Sequence, residues 1–440
     1  MQRIKRLAAV ELGKSSRNFD SVLKNRLNFL EEQDTIDGVT LRQEYAHQCF
    51  KSLLILQKEL LEHEFMIGSQ DNNAVERLVC IVICWGILPP LSLDCQERIS
   101  LKYRHKPEAE IISIDQSCEL SIEILKMLME ISCANPRTAL GVIVAKRHML
   151  ELIVAAIDGF GFVSSSSSGF LQLFDRYVDS AMTGTIMILM MQCLSEARYI
   201  KSLSSIPSQT LSRIIMRKDG VISLFGCILP GNADQDEQTF SQLTKISMIL
   251  STLPADNSKA LVYIESISSQ LLQILKTPRR DVDRYAAAFV TNQLMASHPE
   301  AVRAYIIGPL CDSFAAYWEG PLPDMEQKDL DGNHILLGEE DVELTISVMH
   351  EIMVSVKAHA LVSQFMSDYL TPLFHLYTFS LKSKCTLHTP VFEIIAAILH
   401  TIAEPHKKIK GICEESMDKC SALKRGTNGG VILSAVEGFR

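Results

Sequence analysis

The sequence predicts an all-α protein, an α-solenoid of HEAT- or armadillo-like antiparallel helix pairs. Three observations carry this. Apolar residues recur at spacings of three and four along most of the chain, the spacing of one helix face. Leu, Ile, Met and Ala dominate an apolar share of 47%, while aromatics make up only 7%, a mix that favours helix over strand. Helix starts recur near residues 238, 280, 339 and 387, and a unit of roughly 40–47 residues holding two helices is the HEAT or armadillo period.

In the first third, helical patterns fall over residues 20–33, 40–65, 73–88, 117–132 and 137–160. Within the second of these, Tyr45, Cys49, Leu53, Leu56 and Leu60 form one stripe. Residues 89–115 read as a polar, Pro-bounded connection, and residues 163–169, with five consecutive Ser, as a flexible loop. The organisation expected is an N-terminal helical region over 1–163, connecting helices over 170–235 and regular repeats over 236–440.

The repeat region is more regular. A helix over 240–253 should stop at Pro254. Asn257 or Ser258 can cap the next, which carries Ala260, Ile264, Ile267, Leu271 and Ile274 on one stripe. A helix begins after Pro278 and runs through Tyr285 and Phe289 to Ser297. Pro299 then stands where a first helical turn tolerates proline. After a loop containing Pro321, Pro323 and Gly332, helices are expected over 339–358, 361–381 (kinked at Pro372) and 390–402. One helix pair cannot bury both of its apolar faces, so neighbouring pairs stack and share a core. The functional consequence is a long side-chain-lined surface, suited to protein partners.

Charge narrows the function further. The chain is 440 residues long with a net charge of −9, a poor balance for direct nucleic-acid binding, which needs clustered cations. The short basic clusters, Lys146-Arg147, Arg279-Arg280, Lys407-Lys408 with Lys410, and Lys424-Arg425, read as solvated helix ends or faces. Twelve Cys lie mostly inside apolar runs and behave as small hydrophobes, pointing to a reducing compartment. Residues 78–91 and 180–195 are too short to span a bilayer. The basic segment from Arg3 to Arg26 has an amphipathic pattern that leaves membrane-surface contact open.

No phosphate-binding loop, dinucleotide fingerprint, HExxH or nucleophile elbow occurs. Catalytic, cofactor-binding and metal-binding residues are therefore each expected to be none, and the chain is expected not to be an enzyme. Asp329, Asp331 and Gly332 have calcium-loop spacing, but Gln327 and Gly338 stand where carboxylates are required. Cys385 and His388 form half of a zinc pattern, and His406, Cys413 and Cys420 supply no matching close pair. Met182, Met187, Met190 and Met191 read as core. His298, His350, His359, His375 and His400 are scattered and receive no role. A concave pocket converging titratable groups from several helices would revive an enzyme reading.

Several C-terminal segments together resemble one family. They are TKISMILSTLPADNSKALVYIESISSQLLQIL, DVDRYAAAFVTNQLMASHPEAVRAYIIGPL, DGNHILLGEEDVELTISVMHEI and YLTPLFHLYTFSLKSKCTLHTPVFEIIAAIL, followed by Gly429-Gly430-Val431. Their order is similar to that in the transport-and-Golgi-organization protein six family of animals and the related fungal RNA polymerase II assembly and import factors. The resemblance covers about residues 238–431. It implies a HEAT-type cytoplasmic adaptor, shuttling to the nucleus, whose partners are RNA polymerase II subunits, assembly chaperones or import machinery. Animal members imply an alternative role in protein secretion and Golgi organisation, peripheral at secretory membranes. The family carries no catalytic motif and no cofactor. Its members continue past the Gly-Gly-Val region, so a chain ending at Arg440 is expected to be a truncated or short form.

Overall fold

Amphipathic stripes of this kind bury themselves against sequence neighbours. The computed structural model describes residues 1–10, 19–27, 40–63, 67–104, 114–134, 137–162, 167–203, 205–229, 237–252, 257–311, 335–356, 366–401, 423–425 and 431–434, with 405, 407 and 409 singly. Their contacts divide into two units, Met1–Ile214 and Ile215–Arg440.

The first unit contains α1 (Gln2–Ala8), α2 (Phe19–Leu27), α3 (Leu41–His63), α4 (Ser69–Ile81), α5 (Leu93–Tyr103), α6 (Ile114–Ala134), α7 (Ala139–Ile143), α8 (Met149–Phe162), α9 (Ser167–Ser180), α10 (Thr183–Glu196) and α11 (Ile206–Ile215). Over the described residues the expected helices are present, with two corrections. Residues 89–115 are not simply a connection, because α5 lies within them. The Ser92 hydroxyl caps it by accepting from the Cys95 N–H at 3.3 Å, and Cys95 and Ile99, four apart, bury its inner face. Two leucines on its outer face, Leu93 and Leu101, are exposed and blur the period. The polyserine stretch is not wholly loop either, since α9 starts at Ser167.

The second unit contains α12 (Gly220–Ile228), α13 (Glu237–Ser251), α14 (Asn257–Lys276), α15 (Asp281–Ser297), α16 (Pro299–Val302), α17 (Glu339–His350), α18 (Leu370–Ser383) and α19 (His388–Leu399). The recurring starts fall at Glu237, Asp281, Glu339 and His388. Pro299 opens α16 as expected. Of the helix expected over 361–381, the residues from 366 on are described, with a tight single turn at Ser367–Tyr369 leading into α18. Pro372 stands close behind it in the first turn of α18, where a missing N–H costs nothing because that donor has no helical partner. Arg279-Arg280 does not close a helix but opens one. Arg280 is the N-cap of α15, and its guanidinium donates to the buried Asp283 at 2.5 Å while Asp283 accepts from the Arg280 N–H.

Side-chain pairings give the directions of neighbouring helices. Along α5 and α8 the partners are Ser92 with Asp158, Lys102 with Glu151, and Tyr103 with His148. Rising numbers meet falling ones, so the two helices are antiparallel. Between α15 and α17 with its continuation, Arg284 reaches Ser347 and Asn292 reaches Ile352. Rising meets rising, so these helices are parallel. Antiparallel partners and parallel equivalents are what stacked repeats produce. A short antiparallel sheet of order β1-β3-β2 is added in the second unit. Ile335–Leu337 pairs with Val431–Ser434, which pairs with Leu423–Arg425. The sequence reading did not anticipate it, and it puts Lys424-Arg425 on a strand instead of a helix.

Four helical stretches loosen into π turns, at Val82–Ile87, Val144–His148, Arg303–Ile307 and Glu351–Ser355. Such turns shift the hydrogen-bond ladder and leave a carbonyl free for outside donors. Three of them receive one. Ser121 donates to the Gly86 and Ile87 carbonyls, Lys102 to that of Arg147, and Asn292 to that of Ile352. Each of these three π turns is thereby pinned to a neighbouring helix.

Candidate functional site

The π turn at Val144–His148 positions a polar surface of the first unit. Because the turn falls in mid-helix, Lys146 and Arg147 face outward while His148 turns into the core, 2% exposed. Two adjoining cavities flank it. The first, of about 900 Å³, lies between α4, the C-terminal end of α5 and the π turn, and is lined by Arg77, Cys80, Lys102, Tyr103, Arg104 and His148 among others. The second, of about 750 Å³, has a largely apolar floor that includes Leu60, Leu61, Val142 and Ile143, with Arg137 and Lys146 at its edge. Both are lined by Glu76 and Arg147, whose ion pair separates them. Sharing that pair in their walls, the two cavities adjoin, and together they are called the groove.

Here is the concave pocket with titratable groups from several helices, so its chemistry decides between recognition and catalysis. Lys102 is held by Glu151 and by the Arg147 carbonyl. The Tyr103 hydroxyl lies 2.8 Å from His148 Nδ1. Burial, aided by the nearby Lys102 cation, lowers the His148 pKa to about 4, so the ring is neutral at physiological pH. Burial raises the Tyr103 phenol. It also pushes the Cys80 thiol up to about 12, with Glu76 adding to the rise. A general base works best with a pKa near the working pH, and a thiol nucleophile must reach the thiolate. His148 and Cys80 are moved away from both conditions. Ion pairs tie Lys102 to Glu151 and Arg147 to Glu76, while Arg77 and Arg104 stay exposed, which leaves a shaped, charged surface.

Residues singled out in the sequence lie elsewhere. His388 bonds through Nδ1 to the Cys385 carbonyl at 2.8 Å, and Cys385 is buried, so this pair closes a turn. His406, Cys413, Cys420 and the loop of Asp329, Asp331 and Gly332 fall outside the described residues, as does His359. Among the described residues no group of three or more His, Cys, Asp or Glu could hold a metal ion. Met187 and Met190 are fully buried, whereas Met182 is 77% exposed. His350 Nε2 pairs with Glu393 at 2.5 Å, joining α17 to α19. The apolar face of α1, with Ile4, Leu7 and Ala8, is buried within its own unit, and Tyr45 donates to the Leu7 carbonyl. Among the described residues no helix is long and apolar enough to cross a membrane. The groove itself was missed in the sequence. Its one available signal was Lys146-Arg147 interrupting an apolar helix.

The neutral state of His148 has a stability consequence. With a folded pKa near 4 against an ordinary 6.5, the unfolded chain binds the extra proton between those values. Stability is therefore fully present above about pH 6.5 and is lost as pH falls toward 4, by about 2 kcal/mol between pH 7 and 5. His148→Gln, which keeps an acceptor for Tyr103, is expected to flatten that part of the profile. Urea unfolding at pH 7 and pH 5 measures it, and an unchanged slope would contradict the assignment.

Stacked helices with parallel equivalents, bearing a charge-lined groove, define an armadillo-like helical-repeat scaffold. The sequence profile of transport and Golgi organization protein 6 homologues, ARM-like repeat, matches residues 215–439, just over half of the chain and nearly all of the second unit. The chain belongs to that family. No curated protein and no solved structure matches it.

Proposed function

We propose that this protein is a non-catalytic adaptor that holds protein partners on its helical-repeat surfaces, most concretely RNA polymerase II subunits with their assembly chaperones or import machinery. On this reading it works in the cytoplasm and accompanies its cargo toward the nucleus. Family membership over residues 215–439 carries the proposal, since repeat arrays of this class offer extended surfaces to proteins. The displaced pKa values of His148 and Cys80 support the non-catalytic part. Affinity capture with the full chain from cytoplasmic and nuclear extracts tests it. Enrichment of polymerase subunits is expected, and their absence from both extracts would remove the polymerase reading.

The name of the family favours a second reading, a scaffold in protein secretion and Golgi organisation. Direct lipid binding through the N-terminus has little support, because the apolar side of α1 already packs inside its own unit. Flotation of the full chain with anionic liposomes separates the possibilities. A chain that stays at the bottom of the gradient rejects direct lipid contact and leaves attachment through a protein.

A further inference from the structure

We infer that the groove of the N-terminal unit binds an acidic, extended peptide segment of a protein partner, one with carboxylates spaced along it and a bulky apolar side chain between them. The inference rests on the adaptor reading and adds the chemical class of what is held.

The charge pattern is the first argument. Four exposed cations line the groove, Arg77 and Arg104 on one side of the Glu76–Arg147 pair and Arg137 and Lys146 on the other. They come from four separate places in the chain, namely α4, the end of α5, the residue before the turn into α7, and the π turn. None of their side chains has a hydrogen-bond or ion-pair partner among the described residues, whereas the neighbouring Lys102 and Arg147 are both neutralised. This excess of positive charge stands on a chain of net −9, so it is local and has not arisen from an overall basic composition. Cations concentrated in a cleft attract and orient an anionic partner.

Arg104 supplies the second argument. It closes α5 with φ 53°, in the left-handed region. Glycine holds that position without strain, while a side chain there costs about 1 kcal/mol. The position nevertheless carries a guanidinium at the mouth of the cavity.

The third argument separates a peptide from a nucleic acid. Glu76 stands in the middle of the groove, where an unbroken phosphate backbone would pass over a carboxylate. Carboxylates on a peptide can straddle it, two residues on each side. The floor beneath the second cavity is aliphatic, with Leu61 49% exposed. It suits a Leu or Ile side chain, and no aromatic side chain lines this second cavity for a base to stack on.

Fluorescence anisotropy with the full chain tests the inference. The probe is a labelled twelve-residue peptide of Glu and Asp pairs separated by Leu, compared with its Gln and Asn counterpart and with an oligothymidylate of equal length. The acidic peptide is expected to bind at least tenfold more tightly than the neutral one and to weaken as salt rises. Arg77→Gln with Lys146→Gln should lower affinity at least tenfold. Arg104→Gly should also lower it while leaving the fold at least as stable, which guards against a loss caused by unfolding. Glu76→Gln, by releasing Arg147, should tighten binding. Equal binding of the two peptides, or affinity indifferent to these substitutions, overturns the inference. So does an oligothymidylate that binds as tightly and competes. Capture of polymerase subunits without peptide binding would remove the groove inference alone. Peptide binding without capture would remove the polymerase reading alone.

Discussion

Asp158→Ala is expected to destabilise the N-terminal unit by about 4 kcal/mol. Asp158 is fully buried in α8. One carboxyl oxygen accepts from the Ser92 N–H and the other from the Ser92 hydroxyl, each at 2.8 Å, and that hydroxyl also caps α5. Hydrogen bonds to a charged group contribute about 1.5–3 kcal/mol each, and a disturbed helix cap adds about 1. Removing the carboxyl group leaves the Ser92 N–H without its acceptor in a largely closed environment. Asp158→Asn keeps one accepting oxygen and should cost about half as much. Urea midpoints at constant slope measure both. A shift below 1 kcal/mol for the alanine variant would show that the contact contributes little. The effect should reach function as well. Ser92 and Asp158 tie one end of the antiparallel α5–α8 pair, and the other end carries Lys102, Tyr103 and Arg104 into the groove. A loosened α5 should therefore weaken binding of the acidic peptide even though no groove residue has changed.

Gly159→Ala, one residue further on, should destabilise by about 2 kcal/mol, opposite in sign to the usual result. Exchanging an interior helical glycine for alanine normally stabilises by about 0.5–1 kcal/mol. Here an added Cβ would meet the Phe170 ring at 2.6–2.7 Å. Phe170 is fully buried at the start of α9, so the ring cannot swing away into solvent, and overpacking of this kind costs about 1–3 kcal/mol. Phe170→Leu in the same background should recover part of the loss. A double-mutant cycle reads this as a coupling energy, and strict additivity would show that the close approach of α8 and α9 is not the cause.

Much of this protein can be read from residue order alone. The stripes at three- and four-residue spacing located the helices because burial of one face is a local requirement, met by each segment separately. The four recurring starts located the repeat because stacking demands that the same pattern return at one period. The resemblance over the second half led to the family for the same reason, since its motifs are the grammar of those repeats.

Residues acting across helices could not be read in that way. α5 was missed because exposed Leu93 and Leu101 blur its stripe and its cap is completed by Asp158, 66 residues later. The strand pairing of Val431–Ser434 with Ile335–Leu337 joins segments that look unremarkable apart. Lys146-Arg147 resembled any solvated pair until the π turn set it on the rim of a groove. His148 resembled any scattered histidine until burial drew its pKa down to about 4. Periodicity reports which side of a helix is dry. Which cation stands opposite which carboxylate depends on how distant helices stack, and only the folded chain decides that.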